Sequence, residues 1–227
     1  MTDTNLLQYE EMLQAGMHFG RKRTVFNPRM KDNVYTVRDG ICIIDLTKTQ
    51  EAVIKAAEFL KDKIATGGLV LFVAPTKQSV ESIRALADAT GMPYVTERWL
   101  GGTLTNFKMI NSRVKLLVEM EEQKAKGDWE KYTKKEQLEM ERKLQDMKRN
   151  FEGLKKLTRL PDVVMVGSIR EGKLAVAESR VTGVAVVAIA NTDSNPEGVV
   201  HAICVNDRSK KSVDLIVGAI RSVLVQS

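Results

Sequence analysis

Most of the chain alternates between short, uninterrupted apolar runs and longer stretches with helical spacing. ICIIDL (41–46), LVLFVA (69–74), VVMVG (163–167) and VAVVAIA (184–190) carry apolar residues at successive positions, the pattern of parallel strands covered on both faces. PYV (93–95) and AICV (202–205) are shorter runs of the same kind. Between them, apolar residues recur every three or four positions over 47–65, 77–90, 172–182 and 209–225, which predicts four amphipathic helices, and Gly91 and Gly183 stand where two of them would stop. The alternation predicts a three-layer α/β/α domain around a parallel sheet.

One segment breaks the rhythm. From about 105 to 157 there is no strand pattern and charge is dense; KGDWEKYT divides it, with Gly127 ending one helix and Thr133 with Glu136 forming a capping box for the next. This predicts an antiparallel helical hairpin inserted into a discontinuous sheet domain, 1–104 and 158–227. Val114, Leu117, Val118 and Met120, with Leu138, Leu144, Met147 and Phe151 on the return, are expected to form its thin apolar seam.

Composition narrows the class. The 227 residues are 43% hydrophobic, enough for a sizeable core, and no apolar stretch approaches the roughly 20 residues that span a bilayer. The first residues, MTDTNLLQYEEML, are acidic and amphipathic, unlike a secretion signal, so the expectation is a soluble cytoplasmic protein with no membrane partner. Cys42 and Cys204, each in an apolar run, suit buried reduced thiols. The net charge of +6 permits a nucleic-acid or an acidic protein partner. RKRTVFNPRMK (21–31) concentrates that charge, with Arg21, Lys22, Arg23, Arg29 and Lys31 interleaved with Phe26 and Asn27. Such a run fits a solvated surface loop or a grip on a sugar-phosphate backbone.

Catalytic signatures are sparse. GSIREGKL (167–174) follows an apolar strand and opens a helix, and Gly167, Gly172 and Lys173 have the spacing of a nucleotide-binding P-loop, the basis of an alternative reading as a nucleotide-dependent enzyme. Leu174 stands where that motif needs a hydroxyl for magnesium, and Asn191 ends the next strand where an aspartate would be wanted. His18 and His201 lack metal-ligand spacing with each other or with the cysteines, and His201 and Cys204, three apart in a strand, point to opposite faces. The expectation is no enzyme, no metal, no cofactor and no small-molecule substrate.

AGMHFG (15–20), FNPRM (26–30), IIDLTKT (43–49), RWLGGTLTN (98–106), TKKE (133–136) and LPDVV (160–164) together resemble, in order and spacing, the family of bacterial small-subunit ribosomal protein S-two. The resemblance covers nearly the whole chain. It implies a flavodoxin-like parallel sheet of five strands with an inserted helical hairpin. It further implies a structural part of the small ribosomal subunit that binds rRNA between head and body, beside neighbouring ribosomal proteins. One implied neighbour is the mRNA-recruiting protein S-one, which docks on this family in many bacteria. Arg21, Phe26 and Asn191 depart from the histidine, tryptophan and aspartate common in the family. Within RWLGGTLTN, Trp99 is expected to pack as an anchor, Gly101 and Gly102 to allow close backbone approach, and Thr103 or Thr105 to cap the hairpin. Arg98 and Lys108 are the charges expected near phosphate, with Asn106 either a hydrogen-bonding partner for RNA or wholly structural.

Overall fold

The computed structural model describes residues 7–225; the first six positions of the acidic N-terminal stretch lie outside the described residues. A short helix α1 (Tyr9–Gln14) leads into strands β1 (Phe19–Lys22), β2 (Val34–Arg38) and β3 (Ile41–Ile44), followed by helix α2 (Leu46–Ala65). Then come β4 (Val70–Val73), α3 (Lys77–Thr90), β5 (Tyr94–Val95), the helix pair α4 (Phe107–Ala125) and α5 (Lys134–Phe151), β6 (Val163–Val166), α6 (Lys173–Thr182), β7 (Ala185–Ala190), β8 (His201–Cys204) and α7 (Lys210–Val225).

Strands β4 to β8 form a five-stranded, all-parallel sheet in the order β5-β4-β6-β7-β8. Counting only these strands, the order is second, first, third, fourth, fifth, which is the flavodoxin-like winding with its switch point between β4 and β6. Successive side chains alternate between two buried faces. Val70 and Phe72 join a cluster with Val53 and Leu60 of α2, Ile83 and Leu86 of α3, and Ile216 and Ile220 of α7. Leu71 and Val73 join Val164, Val166, Ala188 and Cys204 on the other face, under Ala175 and Val176 of α6 and the α4/α5 pair. Burial on both sides is why these strands read as continuous apolar runs.

The run 41–46 does not belong to that sheet. Its β3 is the middle strand of a separate three-stranded antiparallel sheet, β1-β3-β2. Cys42 and Ile44 are buried while Ile41 and Ile43 are only half covered, so one face of this strand carries the core contacts. Asp45 ends the run, accepting from the Thr47 N–H at 3.0 Å and capping α2. The basic run is not a simple loop either: it takes in the end of β1, the 3-10 turn Arg23–Val25 and most of a second, Pro28–Asn33, which is opened by Pro28 and capped by Asn27.

In the helix pair, Gly127 takes the left-handed conformation after α4, and the Thr133/Glu136 capping box starts α5. Lys124 pairs with Glu141, and Glu121 with Lys148 at 3.1 Å and Lys155 at 2.7 Å, so α4 and α5 run in opposite directions. Val114, Leu117, Met120, Leu144, Met147 and Phe151 are buried, with Ile110 and Trp129 added to the expected seam. Val118 and Leu138 are exposed. Val118 lies ~100° around the helix from Leu117, and Leu138 ~120° from Leu144, which turns both off the seam. The seam is also continuous with the apolar cluster under the sheet, through Leu104, Ile110, Leu154 and Leu157.

Candidate nucleic-acid interface

The loop RWLGGTLTN, which follows β5, wraps around an anion supplied by its own chain. Glu178, on α6, accepts from the Trp99 indole N–H at 3.0 Å, from the backbone N–H groups of Gly102 at 2.8 Å, Leu104 at 3.0 Å and Thr105 at 3.3 Å, and from the Thr105 hydroxyl at 3.3 Å. Partial burial pushes this carboxyl upward, but the hydrogen bonds from Trp99, Leu104, Gly102 and Thr105 together outweigh it and hold it below the ordinary carboxylate range. Loop amides that converge in this way form an anion nest, and here a carboxylate fills it. Trp99 is buried against the second face of the sheet, and Thr103, also buried, donates to the Leu100 carbonyl at 2.6 Å.

Two expectations for this loop are not met. Neither Thr103 nor Thr105 caps α4. Asn106 precedes its first residue, with no side-chain cap bond, because both threonine hydroxyls are turned to Leu100 and Glu178. Gly101 has open space around the position of a Cβ; it is Gly102, at φ 91° with Asn106 Cβ 3.2 Å from where its own Cβ would stand, that requires glycine. Glu178 itself carries no local signal, since it is a mid-helix glutamate more than 70 positions from the loop it holds.

The basic segment divides into bound and unbound charges. Arg21 projects into the C-terminal edge of the parallel sheet, where its Nη2 donates to Asp207 at 2.8 Å and its Nε lies 3.4 Å from Asp193. All three side chains are nearly covered, at 12%, 3% and 4% exposure, so Arg21 is engaged in an internal ion pair while its neighbours in the run face solvent. Arg29 pairs with Glu197 and donates to Asn195 at 3.0 Å, and the side-chain oxygen of Asn27 is used to cap the second 3-10 turn. Lys22, Arg23 and Lys31, and likewise Arg98 and Lys108, are exposed and have no ion-pair partner among the described residues. Asn106 is exposed beside Lys108. The loop 191–197 is correspondingly neutralised: Asp193 also meets Arg170, and Glu197 also meets Arg180 at 3.4 Å. Asn191 is buried and donates to Asp207 at 3.0 Å.

The P-loop-like turn is closed on itself. Gly167 N–H donates to the Val73 carbonyl at 2.8 Å, Ile169 N–H to Ile189 at 2.9 Å and Gly172 N–H to Ser168 at 2.9 Å, so three of the amides a phosphate cradle would use are bonded within the chain. A Cβ on Gly172 would stand 2.4 Å from Val166 Cγ1, so this glycine serves close packing of the turn on the sheet. The His201 ring lies 5.0 Å from that of Phe59 on α2, tilted by 57°, while Cys204 faces the opposite cluster. Burial, then Asp207 and Cys42, push the Cys204 thiol up to about 12.

The arrangement is a rigid scaffold with loops pinned by internal ion pairs and a set of unmatched surface cations. The sequence pattern of the family described as Ribosomal protein S2 matches residues 12–227. The chain belongs to the ribosomal protein S2 family. Among relatives called small ribosomal subunit protein uS2, that of Mycobacterium leprae is 40% identical over 217 residues, covering 96% of this chain and 78% of the relative. That of Dehalococcoides mccartyi is 40% identical over 216 residues, 95% of this chain and 87% of the relative. That of Thermus thermophilus is 39% identical over 218 residues, 96% of this chain and 85% of the relative. The flavodoxin-like order of the parallel strands agrees with the fold that the resemblance to ribosomal protein S2 implies.

Proposed function

We propose that this chain is a structural protein of the small ribosomal subunit that binds small-subunit rRNA through cations its own fold leaves unmatched, and that it catalyses no reaction. The observation that carries this reading is the contrast within the basic segment. Arg21 and Arg29 are matched by carboxylates, whereas Lys22, Arg23 and Lys31 stay exposed, and Arg98 and Lys108 flank the pinned Trp99 loop. Exposed, unmatched lysines and arginines on a rigid frame are what phosphate contacts require. Asn106, beside Lys108, is a candidate hydrogen-bond donor to the same RNA.

The discontinuous sheet domain, 1–104 and 158–227, holds these loops, and the hairpin 105–157 extends the contact surface. Neighbouring small-subunit proteins and the mRNA-recruiting protein S-one are the protein partners in this reading, and the site of action is the cytoplasm. No described helix is long and apolar enough to cross a membrane. The reading as a nucleotide-dependent enzyme loses support, because the Gly167, Ile169 and Gly172 amides are bonded within the chain and Gly172 is packed closely on Val166.

Sedimentation of the tagged chain from a bacterial lysate tests the proposal. The expected result is a peak with small subunits that moves to the top of the gradient after ribonuclease treatment. A free pool before treatment would refute it.

A further inference from the structure

Arg21 stands in the middle of the basic run yet is turned inward, and its surroundings suggest a second use for it. Its backbone N–H donates to the Thr192 hydroxyl at 2.8 Å, and Asn27 N–H donates to the Thr192 carbonyl at 2.9 Å. Its guanidinium meets Asp207, whose two oxygens also accept from Asn191 at 3.0 Å and Ser168 at 2.8 Å. Asp193, on its other side, pairs with Arg170. One side chain thereby ties β1 to the turns that follow β7 and β8, and through Asp207 to Ser168 in the turn after β6. Lys22 and Arg23 leave the same strand immediately after it, pointing into solvent.

We propose that Arg21 is a positioning residue for RNA binding: by holding β1 against Asp207 and Asp193 it sets where Lys22, Arg23 and Lys31 stand, without touching phosphate itself. The proposal rests on the rRNA-binding reading above. A planar fork is needed for this role, since one guanidinium serves two nearly covered carboxylates from different turns, and a lysine ammonium would not span both. Removing the guanidinium leaves the covered Asp207 without its counter-charge, while Asp193 keeps Arg170, and loosens the strand that presents the basic segment, which then rests on its pairing with β3.

The test compares Arg21→Met, Arg21→Lys and Asp207→Asn in the full chain, binding a transcript of small-subunit rRNA across a range of salt. Arg21→Met and Arg21→Lys should each lower affinity roughly tenfold through lost preorganisation, with the log-log salt slope unchanged to within about 0.3. Asp207→Asn, which keeps the Arg21 charge, should weaken binding in the same way. If Arg21→Lys binds like the parent, or if Arg21→Met reduces the slope by the roughly 0.7 to 0.9 of a lost phosphate contact, Arg21 touches phosphate and the proposal is overturned. Unchanged affinity in all three variants also overturns it. Hydrogen exchange of the unbound proteins supplies a readout independent of RNA. Faster exchange confined to 19–31 and 191–195 is expected, and exchange spread through β4 and β6 would mark a general stability residue instead. Should the parent show no salt-dependent RNA affinity, the rRNA-binding reading falls, and hydrogen exchange alone then decides whether Arg21 holds β1.

Discussion

The indole N–H of Trp99 and the carboxylate of Glu178 meet at 3.0 Å across 79 positions of chain. Around that contact the amides of Gly102, Leu104 and Thr105 turn toward the same carboxylate, so the most distinctive loop of the sequence is shaped by an internal anion. The loop resembles a phosphate cradle in its chemistry and serves as a structural joint between β5, α4 and α6.

Replacing Glu178 with glutamine should destabilise the folded chain by about 1 to 3 kcal/mol, the scale of lost charge-assisted hydrogen bonds, toward the low end because water reaches part of the carboxylate. The folded carboxyl is held below its ordinary value, so its contribution is present above the unfolded value of about 4.3 and is lost as pH falls through the folded one. Thermal unfolding of parent and Glu178→Gln should therefore differ most above about pH 5 and converge in more acidic buffer. A gap that persists unchanged at acid pH would show that the carboxylate charge is not what holds the loop.

Purified protein should neither bind nor hydrolyse ATP or GTP, and Lys173→Ala should leave its stability and RNA affinity as they were. The amides of Gly167, Ile169 and Gly172 are bonded within the chain, and Leu174 offers no oxygen to magnesium. Calorimetric titration checks this; a saturable heat lost in Lys173→Ala would restore the enzymatic reading.

Changing Lys22, Arg23 and Lys31 together to glutamine should lower both the affinity for small-subunit rRNA and its salt dependence, by roughly 0.7 to 0.9 in log-log slope for each phosphate contact removed. Binding curves at several salt concentrations measure it. An unaltered slope would mean these side chains are merely solvated.

The helix pair should tolerate shortening at its tip and not at its base. Replacing 121–146 with a short glycine-serine turn removes Leu144 and Trp129 but keeps Ile110, Val114, Leu117, Phe151 and Leu154 on the sheet, and closing the shorter loop adds little entropy cost. Calorimetry should show a cooperative transition within about 5 °C of the parent. Deleting 105–157 should abolish that transition, because Leu71, Val73, Val164 and Val166 lose the side chains that cover them.

What could be read from sequence followed from local rules. Continuous apolar runs marked β4, β6 and β7, Gly91 and Gly183 marked two helix ends, and Thr133 with Glu136 marked the start of α5, because each depends on residues close along the chain. The run 41–44 reads as a strand of the parallel sheet and is not one, because an apolar run does not reveal which sheet it joins; of its antiparallel partners, β1 is half charged, and β2, VYTVR, is a short, largely exposed strand without a continuous apolar run. In the candidate interface, charge alone did not separate Arg21 and Arg29 from Lys22, Arg23 and Lys31. The distinction depends on Asp207, Asp193 and Glu197, more than 160 positions away. Glu178 was invisible for the same reason.

The most direct measurement is RNA–protein crosslinking in purified small subunits carrying this chain, with the crosslinked peptides located by mass spectrometry. rRNA crosslinks are expected at Lys22, Arg23 or Lys31 and at Arg98 or Lys108, and none at Arg21 or Glu178. Crosslinks absent from both exposed basic sets, or concentrated on the 167–174 turn, would contradict it.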